Sequence, residues 1–366
     1  MLTPEPTQGL SYESSMRKAI RPSLIVFCLP LFLGCAESQE RARSASGGDA
    51  SRANSENSVV AQPLEASNIP EAPIPAKAAG NPFAGATMWV NPHSQAAEVL
   101  SSLKDANPAQ ALLIDKIASQ PSAVWLGEWS GDVKRHVQNT VHSASGAMPL
   151  FVVYNVPNRD CGNFSKGGLA KGDAYRHWIR EVSAGLGDKP AAFVVEPDAL
   201  GLLKDCLNEA QQTERLALIR DAVLVLRQNA HAAVYVDAGH AHWLPAKDMA
   251  ERLQKAGVEH ANGFALNTSN YVSTAENNAY GNELSKLVGG AHFVIDTSRN
   301  GNGSAPKDEW CNPAGRKLGA FPTSDTGSPL VDAWLWTKPP GESDGECNGG
   351  PKAGKFWLEQ ALKLAE

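Results

Sequence analysis

From about residue 81 onward, short apolar runs rich in β-branched and aromatic residues alternate with longer stretches of helical period. The runs are GATMWV, SAVWLG, MPLFVVYNV, AAFVVEP, HAAVYVDAG, GFALN, HFVIDTSR and DAWLWTK. Between them, segments such as ERLALIRDAVLVLRQNA space their apolar residues three and four apart, as one face of a helix does. Runs that are apolar at nearly every position fit strands buried on both faces. The pattern therefore predicts a parallel sheet covered by helices, and seven or eight such units predict a closed or nearly closed barrel. An open doubly wound sheet is the structural alternative. No GxGxxG follows a strand and no phosphate-binding loop appears, so a nucleotide crevice has no support.

The acids stand where these strands end. Asp160 ends VVYNVPNRD, Glu196 and Asp198 end FVVEPD, Asp237 ends VYVD and Asp296 ends FVID, while Asp344 lies in PPGESDGEC beyond the last run. Any one of them could simply open a turn or cap a helix. Together they would meet on the rim at the carboxyl ends of the strands, and like charges brought together there raise one another's pKa. Trp89, Trp243, Trp310 and Trp336 lie at or near the same strand ends. Indoles beside carboxyls suit a sugar cleft, since a pyranose can stack its apolar face on the ring. Hydrolysis of a glycosidic bond needs one protonated acid and a second group that attacks or activates water.

Composition narrows the partners. With 366 residues, 42% hydrophobic and 20% charged, the chain can bury a sizeable core. The net charge of −6 and the scattered Lys and Arg argue against nucleic acid and favour an uncharged ligand. Arg17, Lys18 and Arg21 precede the apolar run PSLIVFCLPLFLGC, which reads as an export signal over residues 1–35, with translation starting at Met16. LFLGC is similar to a bacterial lipoprotein cleavage box, which would place lipid on Cys35; the alternative is an ordinary secretory signal. Residues 36–80, rich in Ser, Ala, Glu, Asn and Pro, read as a disordered linker, leaving one domain over 81–366. The expected product is thus exported, as a cell-surface lipoprotein or a freely secreted protein. With Cys28 in the signal, Cys161, Cys206, Cys311 and Cys347 remain, and four cysteines allow three pairings.

The motifs VVYNVPNRDC, FVVEPDALG, VYVDAGHAHWL, NTSNY, VIDTSRNG, EWCNPAGR and WLWTKPPGESDG, in that order, resemble those of glycoside hydrolase family 6, the endoglucanases and cellobiohydrolases of β-1,4-glucan. The resemblance covers essentially all of residues 81–366. It implies a distorted, seven-stranded, TIM-like α/β barrel and an inverting mechanism without cofactor. By position, Asp198 resembles the general acid, Asp160 the carboxylate that raises its pKa, and Asp344 the proposed base, whose part a water chain could take instead. Asp237 resembles a substrate-side acid. The resemblance makes Trp89, Trp243 and Trp310 sugar-stacking and puts Tyr154 by the distorted ring. His240, Asn270, Lys338 and Glu342 become hydroxyl-binding, and Ser165 falls in a mobile loop. Arg159 is placed to hold Asp160 by a charge-assisted bond. The disulfides implied are Cys161–Cys206 and Cys311–Cys347.

The paired histidines His240 and His242 could suggest metal, but no other His accompanies a strand-end acid in a ligand-like pattern, so none is expected. His242 departs from the small residue expected there and should alter the cleft wall. The segments after Asp160 and between Trp310 and Lys338 are short, which leaves little chain to roof the cleft and favours a monomeric endoglucanase over cellobiohydrolase-type exo action. A non-catalytic surface glycan-binding protein and a metal-dependent barrel hydrolase of a small amide or ester are the competing classes.

Overall fold

The computed structural model describes residues 80–306 and 309–366. The export signal, Met16, Cys35 and nearly all of the linker expected over 36–80 lie outside the described residues. Seven of the eight apolar runs form strands: β1 (Val124–Leu126), β2 (Leu150–Val153), β3 (Ala191–Val195), β4 (Ala232–Asp237), β5 (Gly263–Leu266), β6 (His292–Asp296) and β7 (Val331–Leu335). They pair in chain order and in parallel throughout. The eighth run, GATMWV, contributes a single parallel bridge from Met88 to Met148.

Helices α1 (Gln95–Ala106) and α2 (Pro108–Ala118) precede the sheet. The crossovers carry α3 (Val133–Ala144), α4 (Gly172–Leu186), α5 (Glu209–Leu226), α6 (Ala246–Lys255) and α7 (Thr274–Leu287), and α8 (Leu358–Ala365) closes the chain. Their starts follow the sequence. Asn107 caps α2 ahead of Pro108, and Asn208 and Gln211 exchange side-chain and backbone bonds at the start of α5.

Both faces of the strands are buried, which is why the runs read as apolar throughout. On the helix side, Phe151, Phe193, Phe264 and Phe293 pack among Val153, Val195, Val236 and Ile295. Two of these ring pairs stack, Phe151 with Phe193 at 5.3 Å and Phe264 with Phe293 at 5.2 Å. The inner side is filled by Leu150, Val152, Ala192, Val194, Ala265 and Val294. Each such large apolar side chain contributes roughly 1.5–3 kcal/mol by leaving water.

Closure is partial, so the barrel is a curled sheet with a seam. β1 and β7 share no ladder; Ala123 N donates to Trp336 O at 3.0 Å, and the Trp125 indole N–H donates to Thr337 O at 2.7 Å. At β5 the packing is tightest, because a Cβ on Gly263 would stand 1.8 Å from His292 O in β6. Gly263→Ala is therefore expected to lower stability by more than about 2 kcal/mol, read as a fall in Tm, by forcing β5 and β6 apart.

Candidate active site

The acids that end the strands meet, and two of them build the turn that presents a third. Glu196 and Asp198 flank Pro197 in the left-handed region, at φ 53° and 66°, and Asp160 does the same at φ 57°. Such residues cost about 1 kcal/mol or more each and need outside support. Glu196, fully buried, supplies it by accepting Asn155 N at 3.0 Å and Val156 N at 3.2 Å, which locks the end of β3 to the end of β2. Asp237 accepts the Asp198 amide at 3.1 Å and Gly239 N at 3.0 Å. Burial pushes both Glu196 and Asp237 up to about 7.

Asp198 faces a cleft of about 1070 Å³ that runs across these strand ends. Burial, then the charges of Asp237 and Asp160, push its carboxyl well above the ordinary range, against a pull from the Tyr154 hydroxyl, which donates to Oδ2 at 3.5 Å. Burial and nearby like charge both favour the protonated form of such a group. Asp160, also in the cleft wall, accepts Ser165 N at 2.8 Å, and burial raises its pKa too. Asp344 lines the same cleft and sits in a cage of donors. Arg299 donates to both its oxygens at 2.8 and 2.9 Å, Tyr271 Oη donates at 2.8 Å, Asn312 N at 3.0 Å, and Lys338 Nζ stands 3.9 Å away.

The sugar-handling candidates Tyr154, Ser165, His240, Trp243, Asn270, Trp310, Lys338 and Glu342 all line the same cleft. His240 lies 5.5 Å from the Trp243 ring. Glu342 accepts Gln95 Nε2 at 2.9 Å, and burial raises its pKa. Two disulfides hold the walls: Cys161–Cys206 joins the loop after β2 to the one after β3, and Cys311–Cys347 joins the β6–β7 loop to the segment bearing Asp344. Closing loops of this length stabilises by roughly 3–4 kcal/mol in the chain-entropy account.

The family model described as Glycosyl hydrolases family 6 matches residues 83–366. The chain belongs to glycosyl hydrolase family 6. It is 46% identical over 259 residues to endoglucanase A of Cellulomonas fimi, covering 69% of this chain and 56% of that protein. With endoglucanase 1 of Streptomyces halstedii it shares 42% over 273 residues, 71% of this chain and 83% of that one. Among solved structures, the endoglucanase Cel6 of Mycobacterium tuberculosis, in complex with a methyl-cellobiosyl-thio-cellobioside, superposes with a TM-score of 0.74 at 46% identity. That match covers 78% of this chain and 98% of the other. The chain thus spans little more than half the length of the Cellulomonas protein.

Three expectations for the family 6 domain change, those for Asp237, Trp336 and Arg159. Asp237 is not at the substrate side: it ends β4 pointing beneath the Asp198 turn, 1% exposed, and does not line the cleft. Trp89 is half-buried on the segment bridged to Met148, two residues before Asn91 of the cleft wall. Trp336 is wholly buried, its N–H donating to Ala320 O at 3.0 Å. Arg159 does not hold Asp160. Its charge still acts on Asp160, but the guanidinium forks onto Glu128 at 2.6 and 2.9 Å.

Sequence reasoning missed Trp125, Trp129 and Phe164, which line the cleft. The signal was available for the first two, since SAVWLGEW puts both indoles at the carboxyl end of a strand. His242 does enter the wall, paired with Glu276 at 3.0 Å. Hydroxyl donation by Ser273 and Ser304 holds the Glu276 carboxyl at about 2.

The raised carboxyls make stability depend on pH. Glu196 and Asp237 bind protons more tightly folded than unfolded, where such groups titrate near about 4. Their contribution is fully present below that value and is lost as pH rises through about 7, on the order of 3 kcal/mol each. In thermal melts Asp237→Asn, which cannot ionise, is expected to flatten the fall of Tm across that window; an unchanged slope would refute the assignment.

Proposed function

We propose that this domain is an exported endo-β-1,4-glucanase that cuts internal bonds of cellulose or related β-glucans with inversion. The observation that carries the reading is Asp198. Its carboxyl has its proton affinity raised by burial and by the Asp237 and Asp160 charges, and it faces a cleft lined by Trp243 and Trp310. Relatives named endoglucanases, at 41–46% identity, agree with it.

In this mechanism Asp198 gives its proton to the glycosidic oxygen as the C1–O bond breaks. A water adds to C1 from the opposite face and loses its own proton towards Asp344. Arg299, Tyr271 and Asn312 N already occupy the Asp344 oxygens, so we assign that proton transfer to a chain of waters ending on Asp344 rather than to direct contact. Asp160 holds negative charge beside Asp198 and keeps its proton affinity high. No cofactor takes part. Export agrees with the two disulfides, which persist in oxidising compartments. A lipid on Cys35 and a monomeric state complete the proposal.

Exo action is the second reading, because cellobiohydrolases are also relatives, at 33–35% identity. The loop after β2 meets the β6–β7 loop through Phe164 and Trp310, two half-exposed rings 6.1 Å apart. Eleven residues separate Asp160 from α4, which begins at Gly172, enough for this one meeting point and not for a roof along the length of the cleft. We therefore favour endo attack.

Endo attack is expected to lower the viscosity of a soluble substituted cellulose well before much reducing sugar appears; parallel change would indicate exo attack. Cellohexaose should give α-anomeric product first, and a β-anomer would overturn inversion. Asp198→Asn should cut kcat by about 10²–10⁴-fold while cello-oligosaccharide still binds. Asp160→Asn removes a charge that raises the acid's pKa, so the alkaline limb of the kcat/KM profile should move to lower pH; a limb that stays put would remove Asp160 from this role.

A further inference from the structure

We infer that Trp129 is an additional sugar-stacking platform of this cleft, engaging a glucosyl unit beyond those at Trp243 and Trp310; the inference rests on the glucanase reading above. Trp129 follows β1 in the short turn Glu128–Ser130, lines the cleft, and is 55% exposed. An indole used for packing would be covered, and so much exposed apolar ring is costly unless a ligand covers it.

The ring is also held in place. The Arg159 guanidinium lies over it at 4.9 Å, and a Cβ on Gly127 would come within 2.5 Å of its edge, so only glycine lets the indole settle there. Arg159 is itself fixed, 4% exposed, forked on Glu128 and donating to Tyr154 O and Ser165 O, each at 2.8 Å. Its guanidinium also lies 4.7 Å from the Tyr154 ring, whose hydroxyl reaches Asp198. A file of stacked groups thus runs from the acid to an open indole. A rigid ring with its remaining surface facing the cleft loses little entropy on stacking a pyranose, and the file fixes its distance from the cleavage point.

The test uses the full chain with cellohexaose and cellotetraose, in wild type, Trp129→Ala and Trp129→Phe. Trp129→Ala is expected to raise KM for cellohexaose about five- to tenfold, more than for cellotetraose, with kcat falling less than KM rises. Trp129→Phe, which keeps a ring against Gly127, should recover most of the loss. A cellohexaose KM within twofold of wild type would overturn the inference. So would an equal fall of kcat on both substrates, since Trp129 would then act by steadying Arg159. If wild type cleaves neither oligosaccharide, the glucanase reading fails by itself, and calorimetric titration with cellohexaose decides on Trp129: weaker binding by Trp129→Ala supports the platform, and equal binding overturns it.

Discussion

The bond from the Asp198 amide to the Asp237 carboxylate, 3.1 Å long, underlies the arrangement of this rim. Asp198 is left-handed two residues after the left-handed Glu196, with proline between them. No chain holds that turn by local preference, since each such residue favours leaving it. The turn persists because buried carboxylates on both sides supply acceptors, Asp237 for Asp198 N and Glu196 for Asn155 N and Val156 N. Asp237 also brings negative charge under the acid it positions. Geometry and proton affinity at Asp198 therefore have a common source, and the folded state carries the cost as carboxyls raised to about 7.

The incomplete closure of the sheet has a consequence at the other end of the cleft. Where a full barrel would continue the ladder from β7 to β1, the seam holds the Trp125 indole, donating to Thr337 O, with Lys338 Nζ 5.8 Å from its ring. Asp296, at the end of β6, takes Thr337 Oγ1 at 2.5 Å and Lys338 N at 3.0 Å and so fixes the chain as it leaves β7. An apolar ring and a buried ammonium thus line the cleft where strand pairing lapses. A laddered seam would have spent those backbone groups on the sheet and left no room for the indole.

The strands were legible in the sequence because parallel strands buried on both faces read as unbroken apolar runs. GATMWV carries the same pattern yet adds one bridge, since composition cannot show whether a neighbouring strand is free to pair. The strand-end acids were legible as a group, and their individual directions were not. Asp237 and Asp198 both end apolar strands, but one points under the rim and the other into the cleft, a choice set by a left-handed φ that the residue type does not announce. The tryptophans fail in the same way: Trp336 and Trp243 both follow strands, and only the path of the next few residues buries one and opens the other. Arg159 is adjacent to Asp160 in the chain, and adjacency does not show that its guanidinium forks onto Glu128.

Asp344 shows how the site can gather acids without merging them. A buried carboxylate paired with a buried guanidinium gives little net stability, because desolvation consumes most of the attraction. What the pair does is place charge. Arg299 bonds both oxygens, and Lys338 stands 3.9 Å off, so much of the Asp344 field is cancelled locally. Asp344 still adds to the charges that lift Asp198, after Asp237 and Asp160. An acid and a proton acceptor can then share one cleft: burial and the neighbouring carboxyls raise the proton affinity of Asp198, while Arg299 and Lys338 stand against Asp344.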